Sequence, residues 1–236
     1  MHGMSVETDQ RARTTRARRG GSFYIGVVLL LAGLGILGYV GWQMFGTNVL
    51  SRQTQDRIVG ELRDTWGSDG QSAARSAQQI PLGEASALVR IPAFGDDYVV
   101  PVLEGVSAEV LASGFGHFPG AAHPGRKGNY ALAAHRVTHG EPLRDMPELR
   151  PGDEVVIETR NAVYTYELDT NPNDLIVTFE EIWVVSALPK NPRAGGVQPP
   201  SQKPGQRLIT LTTCSELFHT DNRMIAFGHL VEVTEE

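Results

Sequence analysis

The longest apolar run of the chain lies close to its start. Residues 23–45 are almost wholly apolar and carry no charge. A helix that crosses a bilayer needs roughly 20 such residues, so this run is long enough to span a membrane. Tyr24 near one end and Trp42 near the other are residues typical of membrane–water interfaces. The pattern predicts a transmembrane helix over residues 22–45.

Five arginines lie just before this run, within residues 1–21. A basic flank usually stays in the cytoplasm, so we expect a cytoplasmic tail and an extracellular C-terminal part. A cleaved signal peptide shares the basic start, but it has a shorter apolar stretch and a small-residue cleavage site. A buried core helix would usually carry a polar face. We therefore predict an uncleaved, single-pass anchor in the cell membrane.

Residues 46–85 are polar and contain few large apolar side chains. We interpret them as an extracellular linker or stalk, disordered on composition, in which residues 56–66 have the pattern of a short helix.

From residue 86 onward, short β-like runs alternate with turn residues. About eight short strands at this spacing predict an all-β antiparallel barrel or sandwich. A hairpin is expected around Arg160-Asn161, and a short helical turn at residues 107–113. The predicted strands are residues 88–92, 98–103, 129–135, 154–159, 162–168, 174–177, 183–187, 207–214 and 224–233.

The charge distribution excludes one class of partner. The formal net charge is −6, yet five of the 21 basic residues lie in the N-terminal tail, so the main domain is more acidic still. Binding to phosphate backbones needs clustered Lys and Arg, so we predict no nucleic-acid partner.

Candidate chemistry centres on Cys214, the single cysteine of the chain. It ends one strand-like run, Arg223 begins another, and His135 ends an earlier one. An unpaired cysteine in an exterior domain suggests a reactive thiol. A thiolate attacks a carbonyl, an imidazole moves the proton, and a guanidinium stabilises the oxyanion, which are roles that these three residues are able to fill.

The residue types alone leave alternatives open. A lone strand cysteine is often an inert part of the core. On composition, other histidines serve as well as His135, namely His117, His123, His139, His219 and His229. Zinc is the metal alternative, but no His-x-x-x-His or Cys-x-x-Cys spacing occurs on a plausible single element, so we predict neither a metal nor another cofactor.

A long loop directly precedes the cysteine strand. Residues 188–206 are rich in Pro and Gly, and long loops in compact domains are usually functional or disordered. This loop is well placed to grip a substrate.

Several motifs together resemble the sortase family. Thr210-Leu-Thr-Thr-Cys214, followed by Arg223, is similar to the family's cysteine and arginine signature. Gly116-His-Phe-Pro-Gly120 and Ala133-Ala-His135-Arg136 resemble the segment that carries its catalytic histidine. The order and spacing agree over residues 91–231.

The resemblance implies an eight-stranded sortase-like β-barrel over residues 86–236 and a cysteine transpeptidase activity. The enzyme would cleave a C-terminal sorting signal, Leu-Pro-x-Thr-Gly or Leu-Ala-x-Thr-Gly, between Thr and Gly. Cys214 would attack the Thr carbonyl, His135 would protonate the leaving Gly, Arg223 would stabilise the oxyanion, and Thr213 would help to orient the substrate. An amine of a lipid II-like peptidoglycan precursor would then accept the acyl group.

The subclass most similar is class E, the actinobacterial type. The Ala-x-His-Arg-x-Thr-x-Gly-x-Pro pattern from Ala133 to Pro142 favours it. Phe118 stands where that subclass often has Tyr, and Ser215-Glu216 replaces a more usual His-Pro pair.

Two other functions stay open. One is an enzyme that cross-links the cell wall like an L,D-transpeptidase, although that family's Ser-x-Gly-Cys-x-Arg pattern is not present here. The other is a non-catalytic, membrane-tethered domain that binds wall components.

Overall fold

The structure is a computed structural model that describes residues 21–42, 46–67, 83–200, 203–216 and 221–235. It divides into two compact units, Met1–Gly41 and Trp42–Glu236.

In the first unit, helix α1 spans Gly21–Gly41. Its part from Phe23 to Gly41 is long and apolar enough to cross a membrane. A buried core helix would hide these side chains, whereas those of residues 23–40 are all exposed. A helix that is apolar all round and uncovered by protein suggests a membrane anchor. Residues 43–45 of the predicted span lie outside the described part of the chain.

Helix α2, Thr47–Gly67, belongs to the second unit and packs against its strands. The expectation of a disordered segment is therefore wrong for these residues, and the predicted short helix over 56–66 covers only the second half of α2. The buried face consists of Ser51, Gln55 and Val59, one residue per turn. Two of the three are polar, so no apolar stripe marked the helix in the sequence. Residues 68–82 lie outside the described residues, and the division into tail, anchor, linker and barrel domain stays a prediction.

The described residues of the second unit form nine strands, and eight of these close into a barrel in the order β6-β5-β1-β2-β3-β4-β8-β9, with β9 pairing back onto β6. The ninth, β7, pairs with the start of β9. The eight-stranded barrel expected from the family resemblance is confirmed. The strands are β1 Ala85–Arg90, β2 Val100–Glu104, β3 Phe115–His117, β4 Gly128–Ala133, β5 Glu154–Glu158, β6 Ala162–Leu168, β7 Ile176–Thr178, β8 Arg207–Cys214 and β9 Asn222–Glu235.

Short helices connect the strands. Helix α3, Ala108–Ser113, is capped by Ser107, whose hydroxyl accepts a hydrogen bond from the Val110 amide. This confirms the predicted helical turn, and the β5–β6 pairing confirms the hairpin around Arg160-Asn161. The 3₁₀ helices are Pro92–Phe94, Met146–Glu148, Pro172–Asp174 and Ile182–Val185.

Two strand pairs differ from the antiparallel expectation, because β2 runs parallel to β3 and β4 runs parallel to β8. The short strand β3 was not predicted. At its centre, Gly116 approaches the backbone so closely that a Cβ atom would lie 2.4 Å from the carbonyl oxygen of Gly105. Three residues around such a glycine give no periodic pattern to read.

The predicted strand over residues 183–187 is wrong, because the 3₁₀ helix Ile182–Val185 lies there. The backbone carbonyl of Val184 accepts hydrogen bonds from Asn129 Nδ2 and Thr210 Oγ1, each at 3.2 Å. Two buried side chains thus supply the hydrogen bonds that the Val184 carbonyl would have received from a neighbouring strand if this segment were itself a strand.

Two apolar clusters hold the unit together. The larger fills the barrel with alternate residues of its strands, such as Val89, Phe115, Leu132, Ile157 and Leu211. The smaller packs β7 and the 3₁₀ helix at Val184 against the outer face of β9, where Ile225 and Phe227 lie. The smaller cluster supports the wall of the cleft described next.

Candidate active site

Cys214 and Arg223 lie directly opposite each other on the antiparallel strands β8 and β9. Residues that face each other across such a pair project their side chains on the same side of the sheet. The thiol and the guanidinium therefore leave the same face, at the point where β8 ends and β9 begins. Both residues are only partly buried.

His135 follows β4, the strand that flanks β8 on the side opposite to β9, and it lies beside the end of β8 that carries Cys214. The parallel β4–β8 pairing places Ala133 beside Thr212, and the Ala134 amide then donates to the Thr212 carbonyl at 3.2 Å. The hydroxyl of Thr213 donates to the Ala134 carbonyl at 2.7 Å. Two residues beyond the end of β4, the chain therefore carries His135 beside the end of β8.

One cleft, with a volume of about 760 Å³, is lined by Cys214, Arg223, His135 and Thr213. Its walls are mostly apolar, and two large side chains, Phe179 and Ile182, are exposed in them. An apolar cleft with a few convergent polar groups is the usual form of a small-molecule or peptide site. The further apolar side chains of the lining are Val106, Leu111, Phe118, Val137, Val177, Val184, Val185 and Ile225.

The electrostatics of the cleft act mainly on His135. Burial, together with the neighbouring His139 and the positive Arg223, lowers the pKa of His135 from 6.5 to about 4. The imidazole is therefore neutral near pH 7 and is able to accept a proton. Its ring stacks on that of His139, with 4.7 Å between the centroids and 27° between the planes.

The other histidines that composition left open have different surroundings. His117 is only 2% exposed, and its ring nitrogens meet Glu104 Oε2 at 2.7 Å and the Ala122 carbonyl at 3.1 Å. His123 lies beside the ring of His117. His229 pairs with Asp169 on the barrel surface. His219 lies outside the described residues, and of the described histidines His135 and His139 line the cleft.

Arg136 is a site residue that sequence reasoning named only as part of a motif. Its Nη1 donates to the carbonyl oxygen of Cys214 at 3.3 Å and also to that of Ser215. A partly buried charged donor on two carbonyl oxygens fixes the backbone at the thiol. The signal in the sequence is a basic residue directly after His135.

Hydrogen bonds made by its own side chains hold the loop before β8 in shape. Asn191 is buried and donates to the Val197 carbonyl, and its amide donates to Gln198 Oε1, each at 3.0 Å. Arg193 forms an ion pair with Glu181, which lines the cleft. No residue of the described part of this loop, 188–200 and 203–206, is among those that line the cleft, so its role in gripping a substrate stays a prediction.

A second carboxylate in the lining, Glu216, accepts hydrogen bonds from Ser215 Oγ at 2.6 Å and Asn222 Nδ2 at 2.9 Å. It therefore bridges the residues that follow Cys214 and precede Arg223.

Among the described residues, no group of three or more His, Cys, Asp or Glu side chains is arranged to hold a metal ion.

Comparisons with known proteins agree with this geometry. Sortase SrtE1 of Streptomyces coelicolor is 35% identical over an alignment of 237 positions, which covers 93% of this chain and 61% of that protein. The chain thus spans about three fifths of the length of that relative. The structure of sortase E from Streptomyces avermitilis is 36% identical with a TM-score of 0.57, over 66% of this chain and 93% of that one.

Sortase E1 of Streptomyces coelicolor, solved with a tripeptide in its active site, is 34% identical with a TM-score of 0.54, over 65% of this chain and 91% of that one. The similarity to class E sortases that the motifs predicted is confirmed. The family model described as the sortase domain matches residues 89–231, which span the barrel from β1 to β9. This chain therefore belongs to the sortase family, whose members are cysteine transpeptidases.

Proposed function

We propose that the protein is a membrane-anchored sortase that cleaves a sorting signal of the Leu-Ala-x-Thr-Gly or Leu-Pro-x-Thr-Gly type between Thr and Gly. It transfers the acyl group to an amine of a cell-wall precursor. The observation that carries this function is the convergence of Cys214, Arg223 and His135 on one cleft, from three neighbouring strands.

In the first half-reaction, His135 accepts the thiol proton and the sulfur of Cys214 attacks the carbonyl carbon of the signal's Thr. The low pKa of His135, about 4, keeps its imidazole free to take that proton. Arg223 stabilises the negative oxygen of the tetrahedral intermediate by a charge-assisted hydrogen bond. The Thr–Gly bond then breaks, the imidazolium of His135 protonates the leaving amine of Gly, and a thioester remains on Cys214.

In the second half-reaction, an amine attacks the thioester carbonyl, and its proton passes to His135. The carbon–sulfur bond breaks, the sulfur of Cys214 recovers a proton from His135, and a new amide bond forms. The bonds made and broken balance without any cofactor. We propose an amine of a lipid II-like peptidoglycan precursor as the acceptor, as the family resemblance implies.

The apolar lining supports a signal with Leu at its first position followed by Ala or Pro. Phe179 and Ile182 expose apolar surface in the cleft wall, and such surface favours apolar side chains over charged ones. The relative solved with a tripeptide in its active site supports the binding of a short extended peptide. Thr213, which is among the residues that line the cleft, would orient the peptide through the strand on which it lies.

We further propose that α1 anchors the chain in the cell membrane with the arginine-rich residues 1–21 in the cytoplasm. The barrel would then lie outside the cell, where sorting signals and wall precursors meet. The apolar, exposed character of α1 and the basic residues before it support this orientation. Within this arrangement, residues 46–85 connect the anchor to the catalytic barrel at residues 86–236 and contain α2.

A peptide assay tests the function. The full chain in detergent is incubated with Leu-Ala-x-Thr-Gly and Leu-Pro-x-Thr-Gly peptides and hydroxylamine, and the products are identified by mass spectrometry. We expect a hydroxamate at the Thr carboxyl group with the native chain and none with Cys214→Ala. Cleavage by Cys214→Ala at the native rate, or cleavage of neither peptide by the native chain, would contradict the assignment.

A further inference from the structure

We propose that His139 is a positioning residue that fixes the imidazole of His135, and that helix α2 holds His139 in place. This role rests on the proposed function, in which His135 transfers the protons. Under this proposal, helix α2 contributes to the geometry of the active site.

The two imidazole rings stack face to face. Their centroids are 4.7 Å apart and their planes meet at 27°. The ring of His139 is itself fixed, because its Nδ1 shares a hydrogen bond of 2.9 Å with the Thr138 hydroxyl. One face of His135 is therefore covered by a held aromatic surface, which restricts the tilt of the imidazole toward or away from Cys214.

The backbone that presents His139 adopts an uncommon conformation. His139, Gly140 and Glu141 have φ angles of 55°, 83° and 56°, so three consecutive residues lie in the left-handed region. Residues with a side chain visit this region singly and at a cost in free energy. A segment of this kind persists only when contacts from outside it determine its conformation.

Helix α2 supplies those contacts. Gln55 Nε2 donates to the His139 carbonyl at 3.2 Å, and the Gly140 amide donates to Asn48 Oδ1 at 3.0 Å. The fit is close, since a Cβ atom on Gly140 would lie 2.7 Å from Gln55 Nε2. Gln55 is buried, so a long polar side chain has been ordered for this contact. The helix thus holds both polar groups of the peptide unit that joins His139 to Gly140.

Ion pairs of Glu141 add to these contacts at the outer side of the loop that carries His139. Glu141 meets Arg52 of α2 at 3.8 Å and Arg144 at 2.8 Å. Both arginine side chains are more than half exposed, so these pairs contribute less than the partly buried hydrogen bonds to the loop backbone. The hydrogen bonds of Gln55 and Asn48 are therefore the contacts to test.

The groups that face His135 set the expected change in its titration. They are His139 from its own loop, Arg223 from β9 and Cys214 from β8, with Arg52, Glu141 and Arg144 farther out around the loop. Removal of the His139 ring makes His135 less buried and also removes a neighbouring group that carries the same charge as protonated His135. Both changes raise the pKa of His135 from about 4 toward 6.5.

His139→Asn is the decisive variant, because Asn tolerates the left-handed conformation but has no ring to stack. In the full chain in detergent, we expect kcat for Thr–Gly cleavage to fall about tenfold with KM within about twofold, since a misplaced catalytic group slows the chemical step. We also expect the titration midpoint of His135, followed by NMR of ring-labelled histidine, to rise from about 4. An unchanged midpoint together with an unchanged kcat would overturn the role of His139.

Gln55→Ala tests the contribution of α2 and serves as the deciding variant should His139→Asn not fold. We expect it to lower kcat and raise the His135 midpoint in the same directions. Gln53→Ala, an exposed residue of the same helix, should leave both unchanged. Equal behaviour of the Gln55 and Gln53 variants would show that α2 does not act on the site.

The two proposals fail in different ways. If the native chain cleaves no sorting peptide, the proposed function is wrong. The His135 midpoint, measured in the Cys214→Ala background, still reports whether His139 and Gln55 position the ring. If the peptide is cleaved but His139→Asn matches the native chain, only the positioning role is wrong.

Discussion

The hydroxyl of Thr213 donates a hydrogen bond of 2.7 Å to the carbonyl oxygen of Ala134. Each partner directly precedes one of the two groups proposed to exchange a proton, Cys214 and His135. The bond is buried, with Thr213 only 2% exposed, so water does not compete for it. It therefore ties β8 to the exit of β4 at the point where the thiol must meet the imidazole.

Replacement of Thr213 by Val keeps the shape of the side chain and removes the hydroxyl. The Ala134 carbonyl then loses its buried donor, so we expect Thr213→Val to lower the free energy of unfolding by about 1–2 kcal/mol. We also expect kcat to fall while KM changes little, because the peptide cleft itself is kept. Urea unfolding and steady-state kinetics measure the two effects, and native kcat in a destabilised variant would contradict the link between this bond and the site.

Arg136 should matter for the same reason from the other side of the thiol. It donates to the carbonyl oxygens of Cys214 and Ser215, and Arg136→Ala leaves both without this charged partner. We expect a loss in kcat of about tenfold, from a less ordered thiol. Arg150→Ala is a matched control, because Arg150 also donates to two backbone carbonyls but does not line the cleft. Equal losses in the two variants would point to general destabilisation.

Arg223 is expected to act on the transition state. Removal of a donor that stabilises a developing oxyanion costs roughly a hundredfold to a thousandfold in kcat. We therefore expect Arg223→Ala to lose kcat on that scale, and Arg223→Lys to recover part of it, since Lys keeps the charge but not the fork of donors. Arg207→Ala at the exposed start of β8 is the control. A large rise in KM with native kcat would show that Arg223 binds the ground state instead.

The pH dependence follows from His135. Its pKa is lowered to about 4, first by burial and then by His139 and Arg223, so the imidazole remains neutral well below pH 6.5. If neutral His135 accepts the thiol proton, the acid limb of kcat/KM should have its midpoint near 4. A midpoint near 6.5 that His139→Asn does not move would contradict this assignment.

The same shift predicts how stability varies with pH. Between pH 6.5 and about 4, the unfolded chain binds a proton at His135 that the folded chain does not. Stability should therefore fall as the pH is lowered through this window, by at most about 3 kcal/mol from this residue. Thermal unfolding of the native chain and of His135→Asn from pH 7 to pH 4 measures the difference. Parallel curves would mean that His135 is not buried as described.

The strands that build the site could be read from the sequence because their signals are local. Only eight residues separate Cys214, which ends one run, from Arg223, which begins the next, and so short a connection favours antiparallel neighbours, as observed. The parallel pairing of β4 with β8, which brings His135 alongside, joins residues about 80 positions apart and has no local signal. The sequence predicted antiparallel strands, so this parallel pairing was missed.

Helix α2 and His139 show what sequence patterns did not reveal. The buried face of α2 is mostly polar because Gln55 serves the loop at His139 instead of an apolar core, so its sequence read as solvated. His139 was one of several candidate bases on composition, and its stacking on His135 depends on a left-handed loop that the helix supports. Such tertiary contacts override local propensity.

The central claim is that the sulfur of Cys214 carries the acyl group of the sorting signal. Rapid-quench intact-mass analysis of the native chain with a Leu-Ala-x-Thr-Gly peptide, followed by peptide mapping, tests it directly. We predict a mass increase equal to the signal up to its Thr, located on Cys214, lost on addition of hydroxylamine and not seen in Cys214→Ala. Turnover of the peptide without any adduct on Cys214, or with an adduct on another residue, would contradict it.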